Sequence, residues 1–455
     1  MTTQTTEQAT EQAAEQAAGQ TTEEQPEEPA VTTQTTSPPS RGLLRHRDFR
    51  LLWLGETTNR VGINITTVAM PLVAVVTLNA STFSVSVLAA VPWLPWLLIG
   101  LPAGAWVDRV RRRPVMMACN LASLALLASV PVAAWLGVLT MAQLLVVALL
   151  NGLAAVFFGI SYKVFVPSIV AREDLQEANA KLQGSESVAQ IAGLGGGGLL
   201  AQAFGAVSGL LVNAGTFLFS ALCLLGIRGT EPQPERPAER TPLRQDIREG
   251  LQYTVRDPYL RVLTAYGTVT NLLLTAYQAI LPVFLIRELD LPESATGWLL
   301  ASSSVGGILG AVVAKRLTAR WGTARGMLVA TLTTAPFALL IPMGGKGPLL
   351  VALAVGSALL ALGVVLANVI QGAFRQRYCP PHLLGRITSC ISVANFGAIP
   401  FGSLLGGALG TALGLRPTLW LLTAGLAVTP LLLLIGPLRG RRDLPAVPAG
   451  APGGS

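Results

Sequence analysis

The sequence predicts an all-α integral membrane protein, with twelve transmembrane helices in two pseudosymmetric six-helix bundles, and three observations carry that expectation. Of the 455 residues 51% are hydrophobic and only 12% are charged, outside the range of soluble globular chains. Twelve stretches hold the ~20 mostly apolar residues that a bilayer crossing needs, six on either side of a polar segment after Ile227. The two halves also repeat one another at a spacing of about 210 residues. Gly55, Thr58, Asn59 and Pro71 return as Gly267, Thr270, Asn271 and Pro282. Ser187-Val188-Ala189-Gln190, Leu199-Leu200 and Gly205 return as Ser392-Val393-Ala394-Asn395, Leu404-Leu405 and Gly410. Related helical halves are the plan on which a membrane protein builds a site between its repeats.

Taken in order, residues 1–40 are Thr, Gln, Glu and Ala with late prolines, without the basic start and apolar run of a signal peptide. They are expected to be a disordered acidic tail. The first bundle is expected over 41–228, with spans at 49–78, 82–107, 114–137, 141–166, 179–204 and 207–227. A linker at 229–258 leads to the second bundle at 259–438. Its spans fall at 259–286, 294–316, 324–343, 348–373, 385–410 and 416–438, and 439–455 is expected to be a disordered tail. If the spans alternate from a cytoplasmic start, all but five of the 32 Lys and Arg lie on the cytoplasmic face. The exceptions are Arg287, Lys346 and Arg416 on the other face, with Arg60 and Lys163 inside spans. This asymmetry is the positive-inside pattern, and it places both termini in the cytoplasm of a multi-pass protein of the inner (plasma) membrane. The excess of 28 Arg over 4 Lys suggests a GC-rich bacterial genome.

The net charge of +8 has the same origin, short basic loops on one face, and argues against nucleic-acid binding. Cys119, Cys223, Cys379 and Cys390 show no paired spacing. Gly345-Lys346 lacks the upstream glycine of a P-loop, and neither His46 nor His382 has metal-ligand company. With no nucleophile elbow either, the sequence points away from ATP hydrolysis, zinc chemistry and enzyme activity, and no cofactor is expected.

Between spans 2 and 3 runs Gly104-Ala105-Trp106-Val107-Asp108-Arg109, followed by Arg111, Arg112 and Arg113. It resembles the loop signature of the major facilitator superfamily, with Arg111 where a second glycine is usual. A degraded copy, Arg316 to Gly322 with Arg320 and Arg325, sits at the equivalent place in the second half, where Ala319 replaces the acid. Trp53-Leu54-Gly55-Glu56-Thr57, the segment from Val166 to Asn179 and Tyr378 to Arg386 resemble one branch of that superfamily. That branch holds drug and siderophore exporters, including macrolide-efflux and enterobactin-export proteins. The resemblance covers about 43 to 440 and implies secondary active transport by alternating access; a proton gradient is the expected energy source. It also implies that the Asp108–Arg109 pair braces one conformation, with Gly104, Arg112, Arg113, Arg320 and Gly322 completing a conformational-switch loop.

Within span 1, Glu56, Asn59, Arg60, Asn64 and Thr67 recur at helical spacing and share one face. That face is not expected to look at lipid, because a charge at the centre of a span costs about 2.5–3.5 kcal/mol on insertion scales. Glu56 precedes Arg60 by four residues, the favourable order for an ion pair. Mutual neutralisation and proton uptake by Glu56 are both open readings. In span 5, Asn179, Gln183, Glu186 and Gln190 form a second stripe; the counterpart of Glu186 is Ile391, so symmetry does not explain this acid. Glu56, Arg60 and Glu186 are the proton-coupling candidates. Lys163, one turn before Pro167, is expected to snorkel to the interface, with Glu186 as a possible partner.

Gly193-Leu194-Gly195-Gly196-Gly197-Gly198 matches a dinucleotide fingerprint but follows no strand and lies inside a span. It reads instead as a close-packing segment, similar to the Gly-rich part of span 5 in facilitator antiporters, with Leu194 in place of the usual proline. Pro400-Phe401-Gly402 mirrors it in span 11. Thr264, Thr268, Asn271, Thr275 and Gln278 in span 7 and Asn368, Gln371 and Arg375 in span 10 add milder polar stripes. The substrate-cavity candidates are Asn59, Asn64, Phe157, Tyr162, Gln190, Asn271, Tyr277, Gln278, Asn368, Gln371 and Asn395. For Phe157, Phe158, Tyr162, Tyr277 and Trp93, core packing or a lipid interface competes with cavity lining.

The leading expectation is a monomeric exporter that exchanges protons for an amphipathic small organic molecule, with the bilayer as its other partner. A sugar or nutrient importer of the same fold is the alternative, and a non-transporting membrane sensor or scaffold that of another class. Asp108→Ala or Arg109→Ala is predicted to abolish transport while membrane insertion stays intact; wild-type transport rates in either variant would remove this loop from the mechanism.

Overall fold

The computed structural model describes Leu43 and residues 46–107, 109–170, 174–228 and 243–445. The tail at 1–40, Asp108 and residues 446–455 lie outside the described residues. Helices account for all the expected crossings: span 1 at Arg47–Thr77, span 2 from Thr82 to Val107, span 3 at Arg112–Trp135, span 4 at Met141–Ile169, span 5 at Leu175–Phe204 and span 6 at Ser208–Gly226. After a helix at Leu243–Arg256 come span 7 at Pro258–Glu288, span 8 at Glu293–Trp321, span 9 at Thr323–Leu340, span 10 at Leu349–Tyr378, span 11 at Pro381–Leu413 and span 12 at Leu415–Ile435. Eleven of these are long and apolar enough to cross a membrane. The twelfth, span 5, has 30 residues; Glu177, Lys181, Gln183 and Glu186 make its first half too polar for an apolarity criterion. The linker expected at 229–258 contributes the amphipathic helix at Leu243–Arg256.

The repeat seen in the sequence extends to local backbone geometry. Pro71 and Pro282 lack the N–H that would continue the helical ladder, and two residues after each the helix widens into a π turn, Val73–Thr77 and Phe284–Glu288. The bonds Leu78 N to Val73 O and Leu289 N to Phe284 O are both 3.1 Å. Each turn ends on a left-handed residue, Asn79 (φ 49°) and Asp290 (φ 54°), types whose short polar side chains tolerate that region. Gly205 (φ 85°) closes span 5 and Gly414 (φ 89°) closes span 11. The structural partner of Gly205 is therefore Gly414 rather than Gly410, because span 11 runs about one turn longer before its cap.

Between helices in lipid there is no hydrophobic drive to associate, so close backbone approach through small residues carries the packing. Span 1 packs on spans 5 and 6, span 3 on spans 4 and 6, span 7 on span 11, and span 8 on span 10. The halves meet chiefly through span 5 with span 8 and span 2 with span 11, and span 7 also touches spans 1 and 2. We call the end that carries the arginine-rich loops the basic end. At the opposite, far end a Cβ on Gly198 would lie 2.6 Å from Glu293 O and 2.8 Å from Gly297 Cα, and one on Gly407 would collide with Ser86. Arg287 Nη2 donates across the halves to Ala80 O at 2.6 Å. Gly184 lies on the same face of span 5 as Gly195 and Gly198, roughly 20 Å nearer the basic end by helical rise. A Cβ there would meet nothing within 4 Å. Spans 5 and 8 thus touch at the far end and part toward the basic end.

Gly198→Val or Gly297→Val is predicted to wedge the far end apart. Overpacking of about 1–3 kcal/mol shifts the populations by a factor between about 5 and about 160. Spin labels on the far ends of spans 5 and 8 should report a longer distance. Gly306→Val, which presses on Ala358 O inside the second half, should lower thermal stability without that lengthening.

Candidate functional site

The glycine run of span 5 explains how the site assembles. A Cβ on Gly193 would come within 2.5 Å of Asn64 Cβ and 2.7 Å of Val61 O, and one on Gly197 within 3.1 Å of Ile65 O. Gly195 and Gly198 face span 8 instead, Gly195 against the Trp298 ring. One run of small residues therefore sets span 5 against two neighbours at once. Two turns before Gly193, Glu186 comes level with the polar face of span 1.

There Arg60 is shared by two carboxylates. Its Nε donates to Glu56 Oε1 at 2.6 Å, and its Nη1 donates to Glu186 Oε1 at 3.1 Å. Glu56 is buried, 7% exposed, and its Oε2 has no hydrogen-bond partner. The Arg60 and Glu186 side chains are 36% and 44% exposed, so the cluster grades from a closed end at Glu56 to a wet one at Glu186. Nearby, Trp53 Nε1 donates to Ser185 Oγ at 2.6 Å and ties the same two spans together. The charged cluster borders a cavity of about 400 Å³ lined by Glu56, Thr57, Arg60, Tyr162, Lys163, Asn179, Gln183 and Glu186, among others. All of them come from spans 1, 4 and 5, in the basic half of the bundle.

Other residues singled out in the sequence are distributed as follows. Asn59 is buried at 2% exposure with its Oδ1 unpartnered, and Asn64 Nδ2 donates to Arg60 O at 2.8 Å. Tyr162 lines the cavity and stacks on Phe158, with centroids 6.1 Å apart. Phe157 meets Trp106 edge-on at 5.3 Å, away from the cavity lining. Gln190 is exposed and does not line this cavity. In the second half, Tyr277 is 2% exposed inside a hydrophobic core. Gln371 is buried with Nε2 unpartnered, Asn368 and Gln278 are exposed, and Asn271 is half-buried. Asn395 Oδ1 accepts from Thr268 Oγ1 at 3.1 Å. None of these second-half side chains borders the cavity beside Arg60. Lys163 does, but Glu186 pairs with Arg60.

The switch loop is described in part. Gly104 lies in the last turns of span 2, Arg109 is exposed, and Arg112 opens span 3, while Asp108 lies outside the described residues. Arg113 has a role that sequence reading missed: its Nε and Nη2 donate to Leu224 O and Leu225 O, both at 2.9 Å, at the C-terminal end of span 6. A cation there satisfies orphan carbonyls and complements the helix dipole. In the second copy, Arg320 is exposed and Gly322 has φ 85°. The acid missing at Ala319 does not leave the start of span 9 without one. Asp443, in what was expected to be a disordered tail, accepts from Thr323 N at 2.8 Å, and Arg442 O accepts from Ala324 N and Arg325 N. Nothing short of the folded chain could have revealed it, since Asp443 lies some 120 residues away.

The arrangement can hold a donor on the free oxygen of Glu56, redistribute charge along one arginine, and admit a small molecule from the basic end. Comparisons with known proteins agree with a transport architecture. The model of the family described as transmembrane secretion effector matches residues 39–449. The multidrug efflux pump Tap of Mycolicibacterium fortuitum is 29% identical over 411 residues, covering 88% of this chain and 98% of that protein. The enterobactin exporter EntS of Citrobacter koseri is 25% identical over 417 residues, 90% of this chain and 97% of that one. Among solved structures, a bacterial homologue of the iron transporter ferroportin in an inward-facing state shares the fold. Its TM-score is 0.70 at 17% identity, covering 88% of this chain and all of that one. Matched over nearly its whole helical length, the chain belongs to the transmembrane secretion effector family of the major facilitator superfamily and is a multi-pass membrane transporter, not an enzyme.

Proposed function

We propose that the protein exports amphipathic small organic molecules in exchange for protons by alternating access. The observation that carries this reading is the Arg60 guanidinium held between Glu56 and Glu186 beside a cavity, with one oxygen of the buried Glu56 unpaired. The positive-inside pattern supports a cytoplasmic basic end, and in that orientation the cavity opens inward and the glycine contacts close the outer side. Efflux is favoured by the relatives, one a multidrug efflux pump and another an enterobactin exporter. A cavity of about 400 Å³ with a tyrosine wall and polar floor suits a drug-sized molecule with both apolar and donor groups.

In this cycle a substrate donor arriving from the cytoplasm and a proton compete for the same carboxylate. A buried, partly unpaired carboxylate is expensive to keep charged, and either occupant relieves it. When the far end opens, the substrate leaves and a proton takes its place. Glu186 holds Arg60 in position while Glu56 is neutral, so the arginine is not left without a counter-charge. Two halves that exchange packings of similar energy supply the alternation.

The test is accumulation in inverted membrane vesicles. One proton exchanged for a neutral molecule supplies about 2.3 kcal/mol per 100 mV, so Glu56→Gln is predicted to lower steady-state accumulation roughly fiftyfold at that potential. Gradient-independent exchange should persist in that variant. If imposing or collapsing the gradient changes neither substrate accumulation nor internal pH in the wild type, proton coupling is lost as an explanation.

A further inference from the structure

The helix at Leu243–Arg256 has one side accounted for. A Cβ on Gly250 would lie 2.8 Å from Arg386 O and 3.0 Å from Cys390 Sγ, Glu249 pairs with Arg386, and Thr254 is buried. These residues dock the helix on the first turns of span 11. Its other end is fixed by Asp257, whose Oδ1 accepts from Tyr259 N and Leu260 N at 2.9 Å, caps span 7, and follows Arg256 directly. The helix therefore lies where two spans enter the bilayer at the basic end, not out in solution.

The opposite side is not what water would favour. Leu251 and Val255, one turn apart, are 54% and 53% exposed. Arg248 shares their face at helical spacing, and exposed Gln252 and Arg256 border it. Two apolar side chains flanked by arginines, on a helix held against the entry of two spans, match the lipid-facing side of an interfacial amphipathic helix. The positive charge of Arg248 and Arg256 complements a phosphate layer.

We propose that this face is a docking surface for the anionic phospholipid headgroups of the leaflet at the basic end. Leu251 and Val255 enter the acyl boundary, and Arg248 and Arg256 bind lipid phosphates. The linker between the halves is thereby held to the membrane plane.

Its test places p-benzoylphenylalanine at position 251 of the full-length protein. The protein is reconstituted in phosphatidylcholine vesicles with or without phosphatidylglycerol, irradiated, and analysed by mass spectrometry. The expected result is a lipid adduct, enriched in phosphatidylglycerol. Arg248→Gln and Arg256→Gln should each lower that enrichment roughly fivefold, as ~1 kcal/mol per basic residue implies. Cross-links from position 251 to spans of the first half would overturn the proposal in favour of an intramolecular contact. The absence of any adduct would overturn it in favour of a hydrated face. Lipid adducts with no preference for the anionic lipid, or a preference unchanged in the glutamine variants, would overturn the headgroup recognition.

Discussion

The structure depends on how closely span 5 approaches its two neighbours. In lipid, two helices gain little from burying apolar side chains that lipid would cover anyway, so association rests on backbone proximity and polar contacts. Gly193 and Gly197 provide that proximity toward span 1, and Gly195 and Gly198 provide it toward span 8. The first contact allows Glu186 to reach Arg60 and so builds the charged cluster. The second joins the halves at the far end and leaves the basic end open. A larger residue on either face would act on both the site and the gate.

The repeat has kept the scaffold and let the chemistry diverge. Both halves retain the proline-led π turn, the left-handed residue after it and the glycine that ends the fifth helix of each half. Backbone features of this kind are demanded by geometry, so a duplicated helix bundle keeps them. The charges are not duplicated. Where span 1 carries Glu56, the repeat has Thr268, and where span 5 carries Glu186, it has Ile391. In the second half a neutral hydrogen bond, Thr268 to Asn395, joins spans 7 and 11. The Arg60 cluster therefore has no charged copy at the equivalent positions of the second half, and the cavity beside it is lined by spans 1, 4 and 5.

The ends of the helices show the same economy. Arg113 answers the carbonyls at the close of span 6, and Asp443 answers the amides at the start of span 9. Each puts a charge of the sign that the helix dipole favours against groups that have no partner in their own helix. The loop copy with Ala319 in place of the acid thus has a carboxylate delivered from the segment after span 12.

What the sequence by itself determined is what depends on composition and period. The spans, the two halves, the polar face of span 1 and the bias of arginine to one end all follow from the requirement that a bilayer-crossing helix be apolar and its charges be few and sheltered. Span 5 was legible from its apolar second half, although Glu177, Lys181 and Glu186 make its first half polar. Tertiary structure decided which polar faces meet. Helical spacing says that Glu56 and Arg60 share a face, yet only the rotation and separation of two helices bring Glu186 to the same guanidinium and bury Tyr277 in a core instead of a cavity. The stripe on span 7 has the same period as that on span 1, and its fate differs because a period fixes which side chains point together, not what stands opposite them.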